Sequence, residues 1–431
     1  MPSPQTLLPW LLGGAVGAAG ILQGLHWRST STGGGLPEIE ARLRAAEEEN
    51  GMLRRENESL RSLAQGGGEL AVPQEFRDRV EKELGLRFLS SPVMHRLASE
   101  ELRDRISATV ESRFGPSGID DRQQSYQLIG WLRPDDDLLA QLTAVRAVGA
   151  RGWFDDVTGE GWVTDRFDLQ SIPDQAVLVR LLARILLHQH FPPAPSYPGD
   201  DAARARDALH QGAAAGVEAR FYAANARSIG FMPMKPNTEA EQLMTTLSPF
   251  IRGLVGFPTS EGKGLADTLH VQSSEKLLAA FRSPPQTTRA ILRPAGPAAE
   301  PLALDLPAPP EEPFLTETAG QLGLRLWLEP SGDPSAASQW KNDRYLLFPD
   351  GPESTAVLWD IEMETAAAAD QLQATALRLI GRQAGREEAA ALGQILVSPE
   401  KRHLLLTRPS PVRLRFLNTF EPATAAALGG R

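Results

Sequence analysis

The chain has 431 residues, of which 42% are hydrophobic and 23% are charged, so it is typical of a globular protein and too long for one ordinary domain. Its net charge of −10 disfavours nucleic acid as a partner, because a polyanion needs a basic surface. The absence of cysteine excludes thiol nucleophiles, disulfides and zinc sites built from cysteine.

The first apolar segment spans residues 7–25 and contains no charged residue. At 1.5 Å per residue it is just long enough to cross a hydrocarbon core of about 30 Å. We therefore predict a membrane anchor in residues 1–28, followed by a linker at 29–36. Because this linker is flexible, it argues against the alternative that the apolar segment is a helix buried in the protein core. A signal peptide is the alternative, although the usual basic start is absent. Arg28 alone does not decide the orientation.

Residues 37–65 carry a heptad pattern in which apolar residues alternate at spacings of four and three. This pattern predicts a parallel coiled coil, so the chain itself is an expected partner in a homodimer. Asn50 and Asn57 occupy positions where buried Asn favours a two-stranded register. A single solvated helix is the alternative. The predicted interface consists of Ile39, Leu43, Ala46, Asn50, Leu53, Asn57 and Leu60.

After a linker at 66–79, the globular part divides into residues 80–300, a Pro-rich connection at 301–314 and a C-terminal portion of the same unit at 315–431. Periodicity and turn residues predict its elements. The expected helices are 100–114, 126–147 with a break at Pro134, 173–191, 202–223 and 365–380. The expected strands are a hairpin at 152–165 with Thr158 and Gly159 at its bend, then 324–328, 345–348, 355–359 and a pair within 403–417.

The predicted helix from Val179 to Phe191 reads VRLLARILLHQHF. It resembles a bacterial zincin-like metallopeptidase family whose zinc-binding helix reads VHELTHALQDQHF. The chain segment ALHQGAA, at residues 208–214, resembles the following family helix of the form ALVEGDA. Further likeness, including the hairpin GWFDDVTGEGWV, extends over residues 80 to 385.

The resemblance implies two histidine ligands, a glutamate base and a third, glutamate ligand. In this chain Arg180 and Arg184 stand at the two histidine positions. Leu181 stands at the position of the glutamate base, and Gln211 at that of the third ligand. Arginine is always protonated and offers no lone pair, and leucine cannot accept a proton. We therefore predict neither zinc nor any other cofactor, and no catalytic residue. An active hydrolase with rearranged metal ligands is the alternative.

Other residues in this region have competing interpretations. His188, His190 and His210 are candidates for a different metal site, but His188 and His190 diverge by about 200° on a helix and cannot chelate one ion from a regular turn. Arg180 and Arg184 form a possible cleft site for an anionic ligand, but salt bridges within the chain are the favoured interpretation.

Asp135 to Asp137 fit helix capping, and Asp155 with Asp156 fits turn chemistry. Four aromatic residues are expected in the core around the hairpin: Trp131, Trp153, Phe154 and Trp162.

The sequence thus predicts an α+β fold: a helix-rich, zincin-like domain and a small strand-containing C-terminal part, preceded by a transmembrane helix and a coiled coil. The predicted function is non-catalytic binding of an unknown protein or peptide. The apolar segment at residues 7–25 predicts a single-pass membrane protein. The resemblance implies that its globular domain lies on the extracytoplasmic side, whereas Arg28 favours the opposite orientation. A structural spacer, in which the coiled coil is the important part, is a further alternative.

Overall fold

The computed structural model describes residues 68–114, 118–193, 199–229, 238–296 and 304–429. All of them belong to one compact unit, Gly67–Arg431. The predicted anchor, the linker at 29–36 and the predicted coiled coil at 37–65 lie outside the described residues.

The expected transmembrane helix requires a correction. Among the helices within residues 68–429 that the structure describes, none is both long enough and apolar enough to cross a membrane. The longer helices carry charged side chains along their length, as the segment DDAARARDALHQ at residues 200–211 illustrates. The transmembrane part of the predicted fold class and the single-pass membrane localisation are therefore not retained.

Helices dominate the first two thirds of the described chain. One of them is the apolar helix Ile172–His190. Its first turn is fixed by Ser171, which accepts a hydrogen bond from the Asp174 backbone N–H, and by Pro173. In chain order these helices are α1 (Gln74–Leu84), α2 (Ser99–Ser112), α3 (Gly118–Ile129), α4 (Leu138–Ala147), α5 (Ile172–His190), α6 (Asp200–Ile229), α7 (Thr238–Thr246), α8 (Pro249–Gly256), the π-helical turn Pro258–Gly262, α9 (Lys263–Gln272), α10 (Ser274–Arg282) and α11 (Thr288–Leu292).

A three-stranded sheet lies within this helical part. It is formed by β1 (Met94–Leu97), β2 (Gly152–Asp155) and β3 (Glu160–Thr164), in the order β1-β3-β2. Strands β2 and β3 are an antiparallel hairpin in which Trp153 lies opposite Trp162, and β1 runs parallel to β3. Gly159 has φ +75°, a conformation that glycine adopts without strain, so it closes the hairpin.

The C-terminal part is built on a six-stranded antiparallel sheet. Its order is β4-β5-β6-β9-β8-β7, so the last strand in the chain lies between β6 and β8. The strands are β4 (Leu315–Glu317), β5 (Trp340–Pro349), β6 (Thr355–Met363), β7 (Leu396–Val397), β8 (His403–Ser410) and β9 (Arg413–Thr419). Helices α12 (Gly320–Leu328) and α13 (Ala366–Gln383), the 3-10 turns Glu329–Ser331 and Pro334–Ala337, and α14 (Pro422–Gly429) complete it.

A continuous hydrophobic core joins the C-terminal sheet to the helical part. Trp131, between α3 and α4, stacks on Phe250 with ring centroids 4.7 Å apart and lies 5.4 Å from the ring of Trp359 in β6. A second core surrounds α5, and a smaller one on the opposite face of the C-terminal sheet contains Phe348, Leu417 and residues of α14. The aromatic contacts hold the two parts together as one unit.

A buried carboxylate holds the start of α12 against the sheet. Asp343 is 1% exposed and accepts hydrogen bonds from the backbone N–H groups of Ala319 and Gly320, each at 2.8 Å. It also accepts from the indole N–H groups of Trp340 at 3.0 Å and Trp359 at 2.8 Å. Burial raises the pKa of Asp343, while these four donors act in the opposite direction.

Most predicted elements are confirmed, including the hairpin and the helix after Pro134, where Asp137 accepts the capping hydrogen bond from the Ala140 backbone N–H at 2.8 Å. The helix before Pro134 was predicted to start at residue 126 but spans Gly118–Ile129. The strand predicted at 324–328 is wrong, because those residues form the end of helix α12. Leu324, Leu326, Trp327 and Leu328 are all buried. Arg325, whose side chain is 30% exposed, lies between the buried Leu324 and Leu326, and this alternation of apolar and polar residues also fits a strand. Helix α6 is also longer than the predicted 202–223.

Candidate functional site

The resemblance implies four positions for zinc ligands and the general base, and helix α5 carries three of them. Leu181 is 2% exposed and is part of the core around α5, so the position expected for a general base holds a packed apolar side chain. Arg180 donates a hydrogen bond to Glu218 of α6, with Nη1 and Oε2 3.3 Å apart. Burial raises the pKa of Glu218, and the Arg180 guanidinium opposes that change. Arg180 is thus paired within the chain.

Arg184 has a different environment from Arg180, one helical turn away. Its guanidinium carbon lies 4.7 Å from the centre of the Phe154 ring, as in a cation–π contact. Within the part of the chain that the structure describes, Arg184 forms no hydrogen bond or ion pair. Burial lowers the pKa of Arg184, and the nearby positive charges of Arg113 and Arg180 act in the same direction. The carboxylates of Asp207 and Asp156 oppose that change.

Arg113 bridges the two carboxylates that face Arg184. It pairs with Asp207 of α6 at 2.8 Å and with Asp156, which directly follows β2. Burial of Arg113 disfavours its charge, but Asp207 and Asp156 outweigh that effect and raise its pKa. Both carboxylates are therefore already engaged by one guanidinium.

Arg146 completes the group from the last turn of α4. Burial, reinforced by the charge of Arg113, lowers the pKa of Arg146 to about 10. Asp207, Asp156 and Arg184 also lie within electrostatic range of it. Like Arg184, Arg146 has no hydrogen bond or ion pair to any of the described residues. We call the five residues Arg113, Arg146, Asp156, Arg184 and Asp207 the arginine cluster.

The histidines and Gln211 do not form a metal site with this cluster. His188 Nε2 lies 3.1 Å from the backbone oxygen of Asp156, and His190 Nε2 lies 2.7 Å from that of Arg87. His210 packs edge-on against Phe281, with ring centroids 4.8 Å apart. Burial and the charge of Arg184 lower the pKa of His210 well below 6.5. Gln211 is half-buried on α6. Residues 68–429, so far as they are described, contain no group of three or more acidic or histidine side chains that could hold a metal ion.

An open groove lies between α2 and the hairpin. Its volume is about 790 Å³. Leu97, Ala108, Val157 and Trp162 supply its apolar surface, and Arg105 and Asp155 are among its charged residues. Arg105 stacks over the Trp162 ring at 3.6 Å and lies 3.5 Å from a carboxylate oxygen of Asp155.

Two residues of the groove are sequence neighbours of two residues of the cluster, but the groove residues Trp162 and Asp155 lie on the face of the hairpin opposite to Phe154, which Arg184 contacts. Ser112 and Val157 line the groove, and their neighbours Arg113 and Asp156 belong to the cluster. Trp162, expected in the core, is only half-buried and lines the groove, and Trp153 is also half-buried. Trp131 and Phe154 are buried at 4% and 7% exposure, as predicted.

Sequence reasoning identified Arg184 but missed Arg113, Arg146 and Asp207. These residues lie just after α2, at the end of α4 and on α6, and no local spacing connects them. Arg146 lies in the last turn of α4, where a positive charge is ordinarily explained by its favourable interaction with the helix dipole. Only the tertiary structure brings it within electrostatic range of Arg113 and Arg184.

Comparison with known proteins adds one finding, in the C-terminal part. Residues 312–412 match the family described as "Domain of unknown function (DUF8575)". The matched range includes strands β4 to β8 and reaches neither α5 nor the arginine cluster. No curated protein and no solved structure matches the chain.

Proposed function

We propose that this chain is a non-catalytic, metallopeptidase-like protein that binds a peptide or an extended segment of a partner protein in the groove between α2 and the hairpin. The proposal is supported above all by the side chains at the expected chemical positions. Leu181 is packed in the core, Arg180 is paired with Glu218, and Arg184 stacks on Phe154. None of the three offers a lone pair to zinc or a base to a water molecule.

The groove supports the binding part of the proposal. Clefts that bind peptides combine apolar surface with a few polar groups that fix orientation. Here Trp162 and Val157 provide apolar surface, and Val157 is 62% exposed. Asp155 and Arg105 provide polar groups at the same place. An extended peptide therefore has both surface to cover and charges to contact.

The test begins with zinc stoichiometry of the full chain, measured by elemental mass spectrometry after incubation with zinc and desalting. We expect less than about a tenth of an ion per chain. A value near one ion per chain, together with cleavage of a casein substrate, would favour the rival interpretation of an active peptidase and overturn the non-catalytic proposal.

Peptide binding is then measured on an array of random dodecapeptides probed with the full chain. Ala108→Trp places bulk in the groove from an exposed position on α2. Arg103→Trp adds the same bulk on the same helix, at an exposed residue that does not line the groove. We expect the first variant to lose the wild-type signals and the second to keep them. Equal signals from both variants would show that the groove is not the binding surface.

A further inference from the structure

The groove between α2 and the hairpin contains an arginine of this chain that lies on an aromatic ring. The guanidinium carbon of Arg105, in α2, is 3.6 Å from the centre of the Trp162 ring, as in a cation–π contact. Both residues line the groove, and Trp162 is only half-buried. The ring is therefore a surface that a planar cation already covers.

A buried carboxylate lies beside this ring. Asp155 is 4% exposed and lines the groove on the same face of the hairpin as Trp162. Its Oδ1 accepts hydrogen bonds from two backbone N–H groups of the turn, those of Val157 at 3.0 Å and Thr158 at 3.4 Å. Its Oδ2 lies 3.5 Å from Nη1 of Arg105. A good pair of guanidinium and carboxylate has a separation of roughly 2.7–2.9 Å, so Arg105 neutralises this carboxylate only weakly.

The charged residues of the groove leave it acidic. Glu101 and Asp104, both exposed on α2, line it together with Asp155, and the positive charges are those of Arg96 and Arg105. Arg96 is held by two backbone oxygen atoms that follow β3, at 3.1 and 3.4 Å. Asp104 forms no hydrogen bond or ion pair with the described residues. If Arg105 turned out of the groove, three carboxylates would remain with one guanidinium.

We propose that the Trp162 ring and the Asp155 carboxylate form a subsite for the guanidinium of an arginine from a bound peptide, and that Arg105 covers this subsite until the peptide arginine displaces it. That the arginine belongs to a peptide rests on the proposed function, whereas the subsite does not. Arginine suits the subsite better than lysine, because a planar guanidinium can both stack on a ring and form two parallel hydrogen bonds with a carboxylate.

The exchange of one arginine for the other is favoured by the weak attachment of Arg105. Its side chain is 36% exposed, and its guanidinium forms no ion pair with the described residues other than the one with Asp155. Once released, it can turn to solvent or to Glu101, which lies four residues earlier on α2, a spacing that brings helix side chains together. A peptide arginine is not attached to α2, so it can approach Asp155 more closely.

The first experiment titrates the full chain with N-acetyl-L-arginine amide and follows the ¹³C signal of its labelled guanidinium carbon by NMR. Arg105→Ala removes the competing side chain, so this variant should bind the probe with a Kd of about 1 mM, at least about fivefold more tightly than the wild type. Arg103→Ala, at an exposed position of α2 outside the groove, is the matched control and should bind like the wild type. The neutral analogue N-acetyl-L-citrulline amide should bind Arg105→Ala at least about tenfold more weakly than the arginine probe.

The two parts of the subsite are then tested within Arg105→Ala. Asp155→Asn removes the charge but leaves an oxygen for the N–H groups of the turn, and Trp162→Leu removes the ring. Each added change should weaken binding of the arginine probe at least about tenfold. If Arg105→Ala lacks the cooperative thermal transition of the wild type, Arg105→Gln, which removes the charge but keeps most of the chain length, takes its place. A folded variant that binds the probe no more tightly than the wild type, or that binds both probes equally, overturns the proposal.

The second experiment uses peptides selected on the array with the wild-type chain. We expect them to contain arginine, and replacement of that arginine by citrulline should lower affinity for the wild type but not for Asp155→Asn. Selected peptides that lack arginine, with signals that Ala108→Trp abolishes, leave the proposed function and overturn the arginine subsite. Equal affinity after replacement of arginine by lysine overturns the choice of guanidinium. Binding of the arginine probe without any peptide binding leaves the subsite and removes the proposed function.

Discussion

The backbones of Gly212 and Gly262 are in contact, so that a Cβ atom on Gly212 would lie 2.3 Å from the carbonyl carbon of Gly262 and 2.5 Å from its oxygen. Gly212 is on α6 and Gly262 ends the π-helical turn Pro258–Gly262. Because the obstructing atoms are backbone, a larger residue cannot be accommodated by turning a side chain. The close approach brings α6 against this turn and the start of α9.

Gly212→Ala is therefore expected to lower the free energy of unfolding by about 1–3 kcal/mol, as over-packing typically does. Gly264→Ala, in the first turn of α9, is the control, since a Cβ there would meet nothing within 4 Å. Its expected effect is neutral or a gain of up to about 1 kcal/mol from better helix propensity. Urea unfolding followed by tryptophan fluorescence measures both. Equal stability of Gly212→Ala and the wild type would contradict the contact.

Asp201 predicts a specific pH dependence. Burial raises its pKa to about 7, although Thr288 donates hydrogen bonds to it from its backbone N–H at 3.1 Å and from its hydroxyl at 2.6 Å. A carboxyl whose pKa is higher in the folded state stabilises the fold below its unfolded pKa, near 4, and loses that contribution as pH rises through 7. Unfolding free energy should therefore fall over this range.

Asp201→Asn removes this titration while it keeps an acceptor for Thr288. Relative to the wild type, the variant should gain stability as pH rises from about 4 to 7, by at most about 1.4 kcal/mol per pH unit. Chemical denaturation at a series of pH values gives the difference between the two proteins. A difference that stays constant across the series would refute the assignment. Glu317, whose burial raises its pKa to about 7, contributes a similar dependence to both proteins and cancels in the comparison.

Asp343→Ala should be among the most destabilising substitutions in the C-terminal part. It leaves four buried donors without an acceptor: the N–H groups of Ala319 and Gly320 and the indoles of Trp340 and Trp359. We expect a loss of about 3 kcal/mol or more. Lys341→Ala, on the same strand, removes a surface ion pair with Glu362 whose lysine side chain is 44% exposed. Such pairs contribute roughly 0–1 kcal/mol. Similar thermal midpoints for the two variants would contradict the role given to Asp343.

The coiled coil at residues 37–65 remains a prediction from sequence. If Leu53 lies in a dimer interface, Leu53→Asp should convert the full chain to a monomer in sedimentation velocity. Arg55→Asp, two residues away at an outward heptad position, introduces the same side chain and should leave the dimer intact. A wild-type chain that sediments as a monomer at micromolar concentration would end the dimer hypothesis.

Local signals in the sequence were sufficient for much of the fold. Ser171 and Pro173 mark the start of α5, Asp137 caps α4, and Thr158-Gly159 closes the hairpin; each works through its own neighbours in the chain. Helix α12 is not predicted, because Leu324, Arg325 and Leu326 alternate between apolar and polar side chains as in a strand.

The candidate site was predictable only in part. The motif helix identified Arg180 and Arg184 and favoured internal salt bridges for both. Arg180 forms one with Glu218, whereas Arg184 forms none with the described residues. The motif could not distinguish the two, because the difference lies in Glu218, which is near one arginine, and Phe154, which is near the other. Arg146 and Asp207 belong to the site because separate helices pack together, and the spacing of residues in the sequence does not predict that packing.

The position of β9 in the C-terminal sheet has a consequence for the order in which the protein can fold. Strand β6 is bonded to β5 on one side and to β9 on the other, and β8 reaches the rest of the sheet only through β9. Until residues 413–419 have left the ribosome, β4–β6 and β7–β8 are two separate ribbons, each with an open edge. A fragment that ends at residue 412, where the family match ends, should keep those edges exposed and aggregate. The buried pair of Arg415 with Asp360, 2.7 Å apart, is then the contact that closes the sheet.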